Sequence, residues 1–269
     1  VTRQRDYLGR TVVVTGGAGG LGHALAQRFA GEGARLAILD LDGPAAQARA
    51  DALRTSGTDA LGLGCDVSDE ASCRTAIEQV RAHFGGIDVL VANAGISARC
   101  LLRDTDSAVI RRVMAVNFFG TVNATQAALQ SLIERNGQIV VISSIAGFSP
   151  LVGRAAYAAS KHALHGFFDS LRSEQPELSV MLACPSFIAT GIERAALGGD
   201  GKPVAARRNT VNGEAQPDAV AAAIVAAAQR GQRLCLPATT SQLAWWVSRL
   251  APRFYERQML RRVGAEFVS

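Results

Sequence analysis

Lysine is almost missing from this 269-residue sequence: of its 28 basic side chains two are lysines, Lys161 and Lys202, and the other 26 are arginines. Aromatic residues make up 6%. A formal charge of +5 invites a nucleic-acid reading, but residues 241–269 hold five arginines against Glu256 and Glu266, so +3 of it sits in the tail. The body carries no basic stripe interleaved with aromatics, and nucleic acid is not an expected partner. The five cysteines (Cys65, Cys73, Cys100, Cys184, Cys235) form no Cys-x-x-Cys pair and have no histidine at metal-ligand spacing, so reduced thiols and no metal are expected. No apolar run reaches the length of a membrane span; the longest small-apolar run, Ala219 to Ala228, is too short. Val1 to Asp6 lacks the apolar core of a signal peptide, and the expectation is a cytoplasmic protein. Internal repeats and low-complexity linkers are also lacking.

What is present is an ordinary globular composition, 48% hydrophobic and 19% charged, with short apolar runs alternating with helical patterns. That alternation argues for one α/β domain over residues 1–240. Thr11–Thr15 reads as a buried parallel strand. Gly16-Gly-Ala-Gly-Gly-Leu-Gly22 follows, then a helical pattern through Leu25, Phe29 and Ala30. Strand, glycine turn and helix together present backbone N–H groups and a helix N-terminus to a pyrophosphate. Arg35–Asp40 reads as a second strand whose terminal acid can accept both ribose hydroxyls of an adenosine and repel a 2′-phosphate. Gly19 and Leu41 offer no positive charge to such a phosphate, which favours NAD over NADP. The same acid would also serve to open a Leu41-Asp42-Gly43 turn.

Further along, the pattern predicts a helix from Ala45 to Thr55, a strand over 60–65 ending at Asp66-Val67, and a helix capped by Ser68 and running to His83. Asp88–Ala92 reads as a fourth strand that Asn93-Ala94-Gly95 ends with small residues, where a flat ligand can lie close. Arg111 to Leu132 is helical by period and carries Asn117 in an apolar stretch. Gly137–Ser143 is a fifth strand, Ser179–Ala183 a sixth and Arg233–Leu236 a short last one, with a helix from Pro217 to Arg230. The polar segment from Gly191 to Glu214 is long enough to suggest a lid.

Tyr157 and Lys161 stand four apart, on one face of a helix running to Leu171. A phenol titrates near pH 10, and a fixed ammonium beside it favours the phenolate. With three tyrosines and two lysines in the chain, a chance Tyr-x-x-x-Lys has a probability of about 2%. In a chain so biased to arginine, a lysine here suggests a need for a compact point charge. Ser144, at the end of the fifth strand, supplies a second hydroxyl, so a carbonyl oxygen can be held between two O–H groups. His162 and His165 beside the lysine read as packed or surface residues, since His162 points about 100° away around the helix.

These residues resemble one family, the short-chain dehydrogenases/reductases, over roughly residues 9–240. The resemblance rests on Thr15-Gly-x-x-x-Gly-x-Gly22, Asp66, Asn93-Ala94-Gly95, Asn117, Ser144, Tyr157-x-x-x-Lys161 and Pro185 to Thr190. It implies a single-domain Rossmann fold, a doubly wound parallel sheet of seven strands with helices on both faces. It further implies Tyr157 as proton donor and acceptor, Ser144 as hydrogen-bond donor to the reacting oxygen, and Lys161 as the group lowering the tyrosine pKa and binding the nicotinamide ribose. Asn117 would order a water behind Lys161. Gly16, Gly20, Leu21 and Gly22 resemble the pyrophosphate turn, Asp40 the ribose contact, Asp66 and Val67 the adenine pocket. Asn93, Ala94 and Gly95 resemble the cofactor-side strand end, and Ile188 and Thr190 the positions that hold the carboxamide. Ser186 departs from the pattern, which usually has glycine after this proline.

Leu101, Leu102, Phe148, Leu151, Val152, Phe187, Ile192 and Leu197 are expected to line an apolar substrate cleft, with no arginine pair placed to clamp a carboxylate. The expected activity is hydride transfer between NAD(H) and a hydrophobic secondary alcohol or ketone: a steroid, a lipid-like chain or an aromatic ketone. The rival readings are an NADP-dependent 3-oxoacyl-thioester reductase and a non-catalytic dinucleotide-sensing or scaffold protein. By resemblance a homodimer or homotetramer is expected. In the tail, residues 241–269, Arg249, Arg253, Arg257 and Arg261 recur every four residues beside Trp246, Leu250, Phe254, Leu260 and Val263. Pro252 should split this segment into two helices. Basic amphipathic helices with tryptophan lie in membrane interfaces, here the inner surface; packing on a partner subunit or over the cleft are the other readings.

Overall fold

A computed structural model describes residues 5–190, 195–204 and 214–263. Within them seven strands form one parallel sheet in the order β3-β2-β1-β4-β5-β6-β7. They are β1 (Thr11–Thr15), β2 (Arg35–Asp40), β3 (Ala60–Gly64), β4 (Val89–Ala92), β5 (Gln138–Ile142), β6 (Ser179–Ala183) and β7 (Leu234–Cys235). Each of Val12, Val13 and Val14 is fully buried because β1 is covered on both faces. Val12 and Val14 join Leu25, Phe29, Leu36, Ile38 and Ile224 in one apolar layer. Val13 points the other way, to Leu39, Ile77, Leu90, Leu132, Ile139 and Phe168. This period-two division puts α1 (Gly20–Gly31), α2 (Gly43–Thr55) and α7 (Pro217–Gln229) on one side of the sheet, and α3 (Glu70–Phe84), α5 (Gly120–Glu134) and α6 (Ala155–Glu174) on the other. Strand order reverses between β1 and β4, the switch point where such sheets open a crevice at their carboxyl ends.

Two helix starts differ from expectation. Asp69, not Ser68, caps α3, accepting from Ala71 N at 2.9 Å, while the Ser68 hydroxyl turns back to donate to Asp66 Oδ1 at 2.7 Å. On α2, Asp42 accepts from Ala45 N at 3.0 Å and Pro44 occupies the first turn, so the helix begins at Gly43 rather than Ala45. The helix expected over 111–132 is a longer rod in three parts: α4 (Ser107–Met114), a π turn (Ala115–Phe119) and α5. An apolar stripe reports the mean period of a helix and is blind to one widened turn. The π turn surrounds Asn117, and such bulges concentrate at functional sites. Pro252 does divide the tail, into α8 (Thr239–Leu250) and α9 (Pro252–Val263).

Candidate active site

β1 delivers the chain into Gly16, whose φ of +62° and whose hypothetical Cβ, 2.9 Å from Ala94 Cα, both require glycine. Gly20 also lies at positive φ, with Thr190 of the β6 loop folded over it. Gly19 caps α1 without any side-chain hydrogen bond, so the first N–H groups of a twelve-residue helix face the crevice. A chain of phosphates fits this cradle, which combines backbone donors, the positive end of a helix dipole and no Cβ in the way. Gly22 has a different role. It does not line the crevice, and a Cβ there would overlap the Gly16 carbonyl oxygen, so it lets α1 pack onto the turn.

Gly16, Gly20 and Leu21 line one crevice of about 650 Å³ together with Asp40, Asp66, Val67, Asn93, Ala94, Gly95, Ser144, Tyr157, Lys161, Ile188 and Thr190. That volume is in the range that takes a small-molecule ligand. Asp40 ends β2 beside the turn, its Oδ2 accepting from Ala18 N at 3.0 Å and its Oδ1 from Asp42 N at 3.2 Å. Asn93 staples β4 to the turn by donating Nδ2 to the carbonyls of Thr15 and Gly16, both at 3.0 Å.

At the other end, Lys161 is 4% exposed and donates from Nζ to Ile142 O at 2.8 Å. Burial lowers its pKa to about 8. Its nitrogen lies 5.8 Å from the centre of the Tyr157 ring, one turn back on α6. Ser144 opens a 3₁₀ turn (Ile145–Gly147), its Oγ accepting from Ala146 N at 3.1 Å. An oxygen that already accepts there keeps its own hydrogen for an acceptor in the crevice. Asn117 is fully buried behind these groups: its Oδ1 accepts from Ile96 N at 2.8 Å, and its Nδ2 donates to Ile96 O and Ser160 Oγ, both at 3.0 Å. The amide therefore ties the loop after β4 to α6. A Cβ on Gly95 would sit 3.2 Å from Asn117 Oδ1 and 3.7 Å from Lys161 Nζ, which measures how closely the strand end approaches both. His165 is a packed residue: its Nε2 lies 3.0 Å from Ser143 Oγ, and burial lowers its pKa to about 4, leaving a neutral ring at pH 7. His162 is exposed, its Nδ1 2.9 Å from Ala158 O.

The expected substrate wall needs correction. Leu151 and Phe187 line the crevice, but Leu101, Leu102, Phe148, Val152 and Leu197 do not. Leu102 is 65% exposed, and Leu197 closes a small cluster with Ala98, Val109 and Val113. Phe148 turns outward to the edge of the Trp245 ring, 4.9 Å away on α8. Ile192 lies outside the described residues, as does most of the expected lid. Its described part is pinned down, with Arg99 N donating to Leu197 O and Asp106 N to Gly199 O. An arginine pair does reach the crevice: Arg112, exposed on α4, and Arg154, 5% exposed, which donates from Nη1 to Ser97 Oγ. A third, Arg49, is brought by α2 to the rim of the glycine turn, its Nε donating to Ala18 O at 2.9 Å. All three owe their place to tertiary packing, and no local pattern marks Arg49 or Arg112. Arg154 alone carries a hint, standing three residues ahead of Tyr157.

Comparison with known proteins agrees with this geometry. A family model described as short chain dehydrogenase matches residues 10–198. The bovine protein "Dehydrogenase/reductase SDR family member 7B" is 36% identical over 277 residues, covering 98% of this chain and 85% of that protein. "Probable oxidoreductase EphD" of Mycobacterium tuberculosis is 36% identical over 94% of this chain, which spans 45% of that longer protein. Among solved structures, a short chain dehydrogenase/reductase from Burkholderia phymatum in complex with NAD superposes with a TM-score of 0.82 at 24% identity, over 93% of this chain and 96% of that one. An alcohol dehydrogenase from Thermococcus sibiricus complexed with 5-hydroxy-NADP gives 0.74 at 24% identity, over 84% and 94%. A family match across most of the chain and relatives above one-third identity lead to one conclusion: this chain belongs to the short-chain dehydrogenase/reductase family of oxidoreductases.

Proposed function

We propose that the chain is an NAD(H)-dependent oxidoreductase interconverting a hydrophobic secondary alcohol and its ketone. One observation carries the reading: Ser144, Tyr157 and Lys161 line the same crevice as the glycine turn and Asp40. When bound, the dinucleotide supplies the hydride acceptor or donor. The α1 N-terminus with Gly16, Gly20 and Leu21 would hold its pyrophosphate, Asp40 the adenosine ribose, and Asp66 with Val67 the adenine. Asn93 to Gly95 would flank it, Lys161 would hold the second ribose, and Ile188 with Thr190 the carboxamide. In the oxidation direction Tyr157 takes the proton of the substrate hydroxyl; in reduction it returns it. Ser144 donates a hydrogen bond to the same oxygen, and the Lys161 charge stabilises the phenolate.

Two charges compete over the choice of dinucleotide. Asp40 lines the crevice and repels a 2′-phosphate, whereas Arg49 sits at the exposed rim, where screening weakens it. Asp40 therefore prevails and NAD is the preferred form. Leu151, Phe187, Ile188 and Ile96 make the substrate end largely apolar. A second reading, NADP-dependent reduction of a 3-oxoacyl thioester, draws support from Arg112 and Arg154, whose guanidinium groups suit an acyl carrier's phosphate or a second carbonyl oxygen. A coenzyme-reduction screen separates the two. Apolar secondary alcohols should turn over with NAD, while a preference for small polyols, or turnover confined to thioesters with NADP, would remove the first reading.

A further inference from the structure

Among the described residues nine large apolar side chains are exposed, and five of them (Leu243, Trp246, Leu250, Phe254 and Leu260) belong to α8 and α9. Leu243, Trp246 and Leu250 recur at spacings of three and four, so they form one stripe along α8, exposed by 66%, 60% and 78%. Pro252 turns the chain, and Phe254, 54% exposed, follows the stripe immediately beyond the bend. The opposite face is occupied. Trp245 meets Phe148 edge to face, Ser241 is fully buried, and Tyr255 is 8% exposed beside Ser149. The two helices are therefore seated on the loop that carries Ser144, with their apolar stripe turned to solvent.

Charge selects the occupant. Residues 239–263 contain Arg249, Arg253, Arg257, Arg261 and Arg262 against the single acid Glu256. A second copy docked through this face by a two-fold axis would set the exposed Arg253, Arg257 and Arg261 against their own equivalents, with one acid per chain to offset them. An anionic lipid surface offers what the face lacks, an apolar layer beneath a sheet of phosphates. Tryptophan, with an apolar body and one N–H, suits that boundary. No helix among the described residues is long and apolar enough to cross a membrane. We infer that α8 and α9 form a monotopic docking surface that lies in the headgroup region of an anionic bilayer, the Leu243–Trp246–Leu250 stripe inserted and the exposed Arg253, Arg257 and Arg261 on lipid phosphates. The inference rests on the surface alone and holds whatever the crevice turns over.

Co-sedimentation of the full chain with vesicles tests it, using phosphatidylcholine alone and phosphatidylcholine mixed with phosphatidylserine. The full chain should partition onto the mixed vesicles, weakly onto the neutral ones, and less as salt rises. Arg257→Glu with Arg261→Glu should weaken the anionic partition by more than about fivefold per site, since each arginine near such a surface contributes about that factor. Trp246→Glu with Leu250→Glu should abolish it while circular dichroism and NADH binding stay those of the parent, because both side chains point to solvent. A full chain that stays in the supernatant overturns the inference, as does a Trp246→Glu/Leu250→Glu chain that still sediments with the vesicles. Absence of vesicle binding with an oligomer that the same double substitution dissociates, read by light scattering, would assign the stripe to a second copy instead.

Discussion

The ammonium of Lys161 is held on the carbonyl oxygen of Ile142, 2.8 Å away, at the last residue of β5. One buried hydrogen bond thus links the helix that carries Tyr157 to the strand that delivers Ser144. Lys161→Met removes both charge and link, and Lys161→Arg puts a planar fork where a single point donor fits. Each should lower turnover of any alcohol substrate by at least about 10²-fold. Steady-state rates on the best substrate from the screen check this; an arginine variant near parental activity would contradict it.

Lys161 also makes stability depend on pH. Burial lowers its pKa from 10.5 to about 8, so between those values the unfolded chain holds the proton that the folded chain has released. Stability therefore rises with pH across that window, and below it the buried charge opposes folding. Relative to Lys161→Met, the parent should gain roughly 3 kcal/mol from pH 8 to pH 10.5. Urea unfolding of both proteins at the two ends measures the difference.

Gly22 packs rather than binds. Gly22→Ala would drive a methyl into the Gly16 carbonyl and toward Asn93 Nδ2, 2.6 Å away. Overpacking of this kind costs about 1–3 kcal/mol, and it moves the turn that cradles the pyrophosphate. Both a lower urea midpoint and weaker NADH binding are expected; weaker binding with unchanged stability would place Gly22 in the crevice after all.

The proposed NAD preference sets Asp40 against Arg49. Asp40→Asn removes the charge yet keeps an oxygen for Ala18 N, so the ratio of kcat/KM for NADP over NAD should rise by about tenfold. Arg49→Ala should lower the same ratio by a smaller factor, since that side chain is exposed. Opposite signs would exchange the two roles.

Much of this is legible in the sequence alone. Continuous β-branched runs betray the doubly covered strands, and Tyr157 with Lys161 stands out against a chain so poor in both residues. Three things are not. The π turn at Asn117 leaves the apolar period of its helix almost unchanged. Phe148 and Leu197 are apolar residues near the site in sequence, but apolarity alone does not say which way a loop side chain turns. Arg112 on α4 and Arg154 just ahead of α6 reach the crevice, and Arg49 on α2 reaches its rim; only the packing of those segments brings them together.

In the proposed reaction the Tyr157 hydroxyl, in the crevice with Ser144 and Lys161, moves the proton. Tyr157→Phe deletes that single oxygen and little else. Turnover should fall by at least about 10²-fold while NADH binding, followed by fluorescence titration, stays unchanged. Parental turnover in this variant would contradict it outright.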